Sequence, residues 1–113
     1  MDLEESDNEE TLEQEREMLR NARVRFTDMS PAQYGKAIKF ATEAFAKTKM
    51  DKDAASYLKT KLDSEADFAG GSDGAWQVIV GRSFGISLAY ETKYMLFFDL
   101  LKQRRTILAF KTQ

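Results

Sequence analysis

The side chains that could carry out acid–base chemistry in this sequence are carboxylates, because the chain contains no histidine and no cysteine. The imidazole base, the thiolate nucleophile and the disulfide framework are therefore all missing. Glu91 and Asp99 could be imagined as an acid–base pair, but no nucleophile or metal-ligand cluster accompanies them. We expect a protein that is not an enzyme and that uses no metal and no cofactor.

Two further motifs are better explained by structure than by ligand chemistry. The segment Gly81-Arg-Ser-Phe-Gly85 lacks the Gly-Lys-Ser/Thr of a phosphate loop, and it joins two strand patterns instead of a strand and a helix. Trp76 could stack on a ligand, but a tryptophan that opens a central strand more often anchors a core or an interface. We interpret both features as structural.

Charge is distributed unevenly along the chain. Residues 1–20 contain nine acidic and two basic side chains, whereas the rest contains 15 basic and 10 acidic ones. This division is typical of an acidic extension, residues 1–20, on a folded domain, residues 21–113. The extension has few bulky apolar residues, so we favour disorder, with a frayed or partner-induced helix over about residues 9–20 as the alternative.

The charge and hydropathy patterns also limit the partners and the location of the protein. No run of Lys and Arg with interleaved aromatics predicts nucleic-acid binding. No apolar run approaches the roughly 20 residues that span a bilayer, and the acidic N-terminus does not resemble a secretory signal. We expect a cytoplasmic protein without a membrane or nucleic-acid partner.

Helix signals occupy the first half of the domain, after a short alternating strand over residues 22–27. Ser30 is the expected N-cap of a helix that runs to about Lys47, with Pro31 in its first position and Gln33 completing a capping box. A second helix fits residues 52–62, with Ala55, Leu58 and Leu62 on its apolar face.

The second half of the chain changes to the period of two that is typical of strands. Polar or glycine-containing segments separate four such runs, at residues 76–80, 84–90, 94–99 and 106–111. The order β-α-α-β-β-β-β favours an α+β fold in which helices cover an antiparallel sheet.

These residues resemble the eight-kilodalton dynein light chain family over about residues 22–111. The resemblance rests on Trp76-Gln-Val-Ile-Val-Gly-Arg-Ser-Phe-Gly85, on Tyr90-Glu-Thr-Lys93 and on Ile107-Leu-Ala-Phe-Lys111. It implies two helices on a five-stranded antiparallel sheet in a strand-swapped dimer. The implied swapped strand is residues 83–89, whose apolar side chains would not stay exposed in a monomer.

The resemblance also implies two identical grooves in which an extended partner segment adds as a strand. The implied groove residues are Asp51, Lys52, Ser83, Phe84, Gly85, Ile86, Ser87, Leu88, Ala89, Phe97 and Asp99. The implied dimer interface is Trp76, Gln77, Ser83, Phe84, Ile86 and Leu88. Asp51 and Lys52 would pair with a polar ligand side chain such as glutamine, although a plain N-cap is the alternative for Asp51.

This chain departs from the common family pattern at several implied groove positions. Gln77 stands where the family commonly has an interfacial histidine, and Phe97 and Asp99 stand where it has tyrosines. We expect Asp99 to add a negative charge to the groove wall and so to favour ligands with Lys or Arg.

The leading hypothesis is a non-catalytic light chain of a dynein motor complex that binds dynein intermediate chains, either as a homodimer or with a paralogous light chain. The alternatives are a dynein-independent dimerisation hub and a regulatory subunit that docks through the acidic extension. We expect the protein in the cytoplasm on the cytoskeleton, with the axoneme of a cilium or flagellum as the alternative.

Overall fold

In the computed structural model the described residues are 2–65, 68, 75–82 and 92–112, of which 2–8, 92, 93 and 112 are described by their backbone alone. They form three helices and four strands: α1 Asp2–Asn21, β1 Ala22–Thr27, α2 Pro31–Lys47, α3 Asp51–Ser64, β2 Trp76–Gly81, β3 Thr92–Leu100 and β4 Arg105–Thr112. None of these helices is both long enough and apolar enough to cross a bilayer.

The acidic N-terminal segment is the helix α1, where we favoured disorder. Its apolar side chains remain largely outside, with Leu12 51% and Leu19 46% exposed. Glu13 forms ion pairs with Arg16 at 3.7 Å and with Arg20 at 3.3 Å along the helix surface. Helix propensity and local charge pairs therefore stabilise α1 more than burial does. Its role as a flexible or partner-bound extension stays a prediction.

The two helices of the domain begin and pack much as predicted. The Ser30 side chain accepts the backbone N–H of Gln33 at 3.3 Å, and the Gln33 side chain accepts the backbone N–H of Ser30 at 3.2 Å. The second helix, α3, is slightly longer than predicted, and it buries Ala54, Leu58 and Leu62. Ala54 is therefore the start of the buried face, because residues four apart align on a helix, and the assignment of Ala55 to that face is wrong.

The four strands form one antiparallel sheet in the order β1-β3-β4-β2. The strands β3 and β4 form a hairpin through residues 101–104, and Arg104 adopts a φ of 56° in this turn. The strands predicted at residues 94–99 and 106–111 are confirmed and extend further at both ends. The fifth predicted strand, residues 83–89, lies outside the described residues.

The main core lies between the helices and one face of the sheet. Ile38 of α2 and Leu62 of α3 pack against fully buried sheet residues such as Phe98 and Ile107. Trp76 is 1% exposed, and its indole N–H donates to the carbonyl oxygen of Phe68 at 3.1 Å. The tryptophan that opens β2 is therefore an anchor of the core, which positions the whole strand.

Candidate functional site

One edge of the sheet is open. The strand β2 pairs with β4 on one side, and no other described strand pairs with its opposite side. The N–H and C=O groups along such an edge can pair with a strand from another chain. The predicted arm, residues 83–89, follows directly after β2 and Arg82 in the sequence. The structure thus places an open strand edge next to the segment that we expect to cross between protomers.

The sheet face that points away from the helices, here called the second face, carries its own apolar cluster. Met95, Phe97 and Leu108 are buried there, and Phe110 packs against them. Two exposed side chains continue the cluster toward the edges, because Phe26 is the register partner of Phe97 and Ile79 that of Leu108. Phe26 is 54% and Ile79 48% exposed. An apolar surface that reaches a strand edge in this way is suited to an interface.

Asp51 and Lys52 are the first two residues of α3, at a helix N-terminus that offers free backbone N–H groups. The N-cap is Met50, so the plain N-cap interpretation of Asp51 is wrong. Instead, the Nε–H of Arg105 donates to Oδ1 of Asp51 at 2.8 Å and joins α3 to the start of β4. Lys52 is exposed, and no described residue forms an ion pair with it. One carboxylate oxygen of Asp51 and the ammonium of Lys52 thus remain available to a ligand.

Asp99 is buried at the charged end of the second face, where it collects four donors. The Nε–H and Nη2–H groups of Arg23 donate to its Oδ2 at 3.0 and 2.7 Å, and the Nε–H of Arg25 donates to the same atom at 2.8 Å. The hydroxyl of Thr106 donates to Oδ1 at 2.7 Å. The expectation that Asp99 attracts basic ligands is therefore wrong, since two arginines already neutralise its charge.

The electrostatics of Asp99 follow from these contacts. Burial by itself would raise the pKa of this carboxyl, but the hydrogen bonds from Thr106, Arg25 and Arg23 together outweigh that effect. The pKa of Asp99 therefore lies below its ordinary value, and the group is a carboxylate at neutral pH. Two strands are joined to β3 through this one side chain, because β1 supplies the arginines and β4 the threonine.

A second carboxylate, Asp63 near the end of α3, fixes the beginning of β2. Its Oδ1 accepts the backbone N–H of Trp76 at 3.0 Å, and its Oδ2 accepts the ammonium of Lys59 at 2.7 Å. Burial opposes ionisation of Asp63, but these two hydrogen bonds together lower its pKa. Nothing in the sequence pattern singled out Asp63, because the contact spans the loop between α3 and β2.

The structure brings some predicted site residues together and leaves others outside its description. Phe97 and Asp99 lie on the second face, and Gln77 lies on the same face because it is the register partner of Phe110. Trp76 is enclosed in the core of its own chain, so it would support an interface by holding β2 in place. The remaining predicted residues lie outside the described part of the chain: Ser83, Phe84, Gly85, Ile86, Ser87, Leu88 and Ala89.

Comparisons with known proteins agree on one family. The family model described as dynein light chain type 1 matches residues 21–112. A cytoplasmic dynein light chain of Emericella nidulans is 36% identical over 90 residues, which are 80% of this chain and 87% of the relative. The chain therefore belongs to the dynein light chain family, and the resemblance found in its sequence is confirmed.

The fold agrees with a solved structure of the same kind. The dynein light chain-like domain of the Fasciola hepatica calcium-binding protein FhCaBP2 superposes with a TM-score of 0.64 at 19% sequence identity. The match covers 82% of this chain and 93% of that domain. The α+β architecture with an antiparallel sheet is thus that of dynein light chains, a family of non-catalytic adaptors.

Proposed function

We propose that the protein is a dimeric light chain of a dynein motor complex that holds two extended segments of dynein intermediate chains side by side. The observation that carries this proposal is the open edge of β2, which continues into the exposed apolar side chain of Ile79 on the second face. An edge and a face that are both open would be covered together if a second copy added its residues 83–89 to β2.

The partner segment would bind next to that added strand. Backbone hydrogen bonds to residues 83–89 would provide affinity with little dependence on sequence, and the register would come from side chains. Asp51 and Lys52 offer an acceptor and a donor, which together match the amide of a glutamine. Phe97 would supply apolar contact on the groove wall. Two such grooves in one dimer make the second binding event intramolecular, which raises the effective affinity for dimeric partners.

Calorimetry with an intermediate-chain peptide that copurifies with the protein tests the groove. We expect Lys52→Ala to weaken binding by about 1–3 kcal/mol if the ammonium meets a polar group that becomes buried in the complex. Lys49→Ala is the matched control, because Lys49 is also an exposed lysine but precedes the helix. Equal affinities of both variants and the wild type would contradict the assigned register. Copurification of other proteins without intermediate chains would favour the dynein-independent hub.

The proposed dimer should not dissociate in mild acid. The chain has no histidine, and the position that is commonly histidine in the family is the neutral Gln77. No side chain with an ordinary pKa near 6 is therefore available to charge the interface. We expect the same dimer mass at pH 7 and pH 5 in sedimentation equilibrium. Half-dissociation near pH 6 would be the contrary result.

A further inference from the structure

Five arginines converge on one open cavity of about 170 Å³ at the end of the sheet that carries the β3–β4 turn. They are Arg23 and Arg25 of β1, Arg82 after β2, and Arg104 and Arg105 at the turn, with Asp99 as the one carboxylate among the described lining residues. Like charges that converge in this way repel one another unless an anion sits among them. We call this cavity the arginine pocket.

The carboxylate within the pocket leaves most of this positive charge uncompensated. Asp99 is 9% exposed and engages only Arg23 and Arg25, whose side chains remain 64% and 34% exposed. Arg105 is held from behind by Asp51 and by the carbonyl oxygen of Arg104. The remaining guanidinium N–H groups of these arginines are therefore fixed in place but not all used.

Arg82 and Arg104 differ from the other three because no described residue forms an ion pair or hydrogen bond with them. Both are exposed at the rim of the pocket. Guanidinium groups present parallel N–H donors that match the oxygens of a carboxylate or phosphate, and such charged hydrogen bonds are the strong ones. The inner arginines are thus preorganised, and the outer two are free to close on a ligand.

We propose that the arginine pocket binds a compact oxyanion, either a phosphoryl group or a carboxylate, carried by a side chain of the bound partner segment. The pocket shares Asp99 with the predicted groove wall, so an anionic side chain at one end of the segment would reach it. This inference rests on the proposed function for the identity of the segment. It reverses the ligand charge that Asp99 suggested, because the five arginines outnumber its single carboxylate.

Three tetrapeptide probes of the form acetyl-Ala-Xaa-Ala-Ala-amide test the pocket, with phosphoserine, glutamate or glutamine at the variable position. The measurement is a titration of the arginine Nε–H signals of the ¹⁵N-labelled full chain by NMR. We expect saturable shifts with the two anionic probes, weaker at higher salt, and none with the glutamine probe. Tighter binding of phosphoserine would identify a phosphoryl site, and equal binding would identify a general carboxylate site.

The decisive variant is Arg82→Gln combined with Arg104→Gln, which removes two charges without breaking any described ion pair. We expect it to bind the anionic probes about tenfold more weakly, as loss of one charged bidentate contact would cause. Arg16→Gln combined with Arg20→Gln removes the same charge from α1, outside the pocket, and should bind like the wild type. Equal losses in both double variants, or shifts that never saturate, would overturn the proposal.

The same variant separates this inference from the proposed function. Its dimer mass and its binding of an intermediate-chain peptide that lacks acidic residues should remain unchanged, because neither depends on the pocket. An intact dimer with a nonselective pocket would refute only the inference, whereas a monomeric wild-type protein would refute the proposed function.

Discussion

Replacing Asp99 with alanine is expected to lower the free energy of unfolding by about 2–4 kcal/mol, the largest single effect on stability that the structure predicts. The substitution removes an acceptor that Arg23, Arg25 and Thr106 share, and it leaves the hydroxyl of Thr106 buried at 2% exposure without this partner. Repulsion among the arginines of the pocket would add to the loss. The cost stays below that of a fully buried pair, because Arg23 remains largely solvated.

Urea unfolding of the wild type, Asp99→Ala and Asp99→Asn measures this effect. Glu17→Ala is the control, because Glu17 is an exposed carboxylate of α1, and it should change stability by less than about 0.5 kcal/mol. Asp99→Asn keeps the shape and one acceptor oxygen but loses the charge, so it should fall between the wild type and alanine. A loss for Asp99→Ala no larger than that of the control would show that the carboxylate does not join the strands.

The same variants give the pH dependence. The pKa of Asp99 is lowered in the folded state, so its contribution is fully present above the unfolded value of about 3.9 and is lost as the pH falls through the folded value. The stability difference between the wild type and Asp99→Asn should therefore be constant from pH 7 to pH 5 and shrink below pH 4. A difference that shrinks between pH 7 and pH 5 would contradict this assignment.

Replacing Ile79 with lysine is expected to convert the dimer to monomers at micromolar concentration. Ile79 is 48% exposed in the single chain, so the substitution should leave the fold of one protomer intact. In the proposed dimer the same position becomes buried beside the added strand, where an unpaired ammonium is costly. The matched control is Leu101→Lys, because Leu101 is 51% exposed in the β3–β4 turn, away from the β2 edge.

Size-exclusion chromatography with light scattering distinguishes the two variants, and circular dichroism shows whether each is folded. A folded Ile79→Lys monomer beside a dimeric Leu101→Lys protein is the expected pattern. A dimeric Ile79→Lys protein would move the interface away from β2 and its neighbouring face.

Local signals in the sequence predicted the elements of the fold well. The capping box at Ser30 and the alternation of β2 depend on neighbouring residues, and both are found where the pattern indicated. The main exception is α1, where the sequence has little apolar area to bury and helix formation depends on propensity and on ion pairs that a hydropathy pattern does not register.

The charges of the candidate site were less predictable, because their partners lie far apart in the chain. Asp99 meets Arg23 across 76 residues, and Asp51 meets Arg105 across 54 residues. Spacing within one element cannot reveal such pairs, and only the sheet order brings β1, β3 and β4 together. The family resemblance placed Asp99 on the groove wall but gave no sign that two arginines would neutralise it.

Sedimentation equilibrium of the wild-type protein at neutral pH tests the central proposal of a strand-exchanged dimer most directly. The chain has a mass of 12.9 kDa. We expect a single species of twice that mass across the micromolar range, since the β2 edge and the second face would be covered by a second copy. A mass of 12.9 kDa at every concentration would contradict a dimeric light chain and leave the open edge of β2 without the proposed occupant.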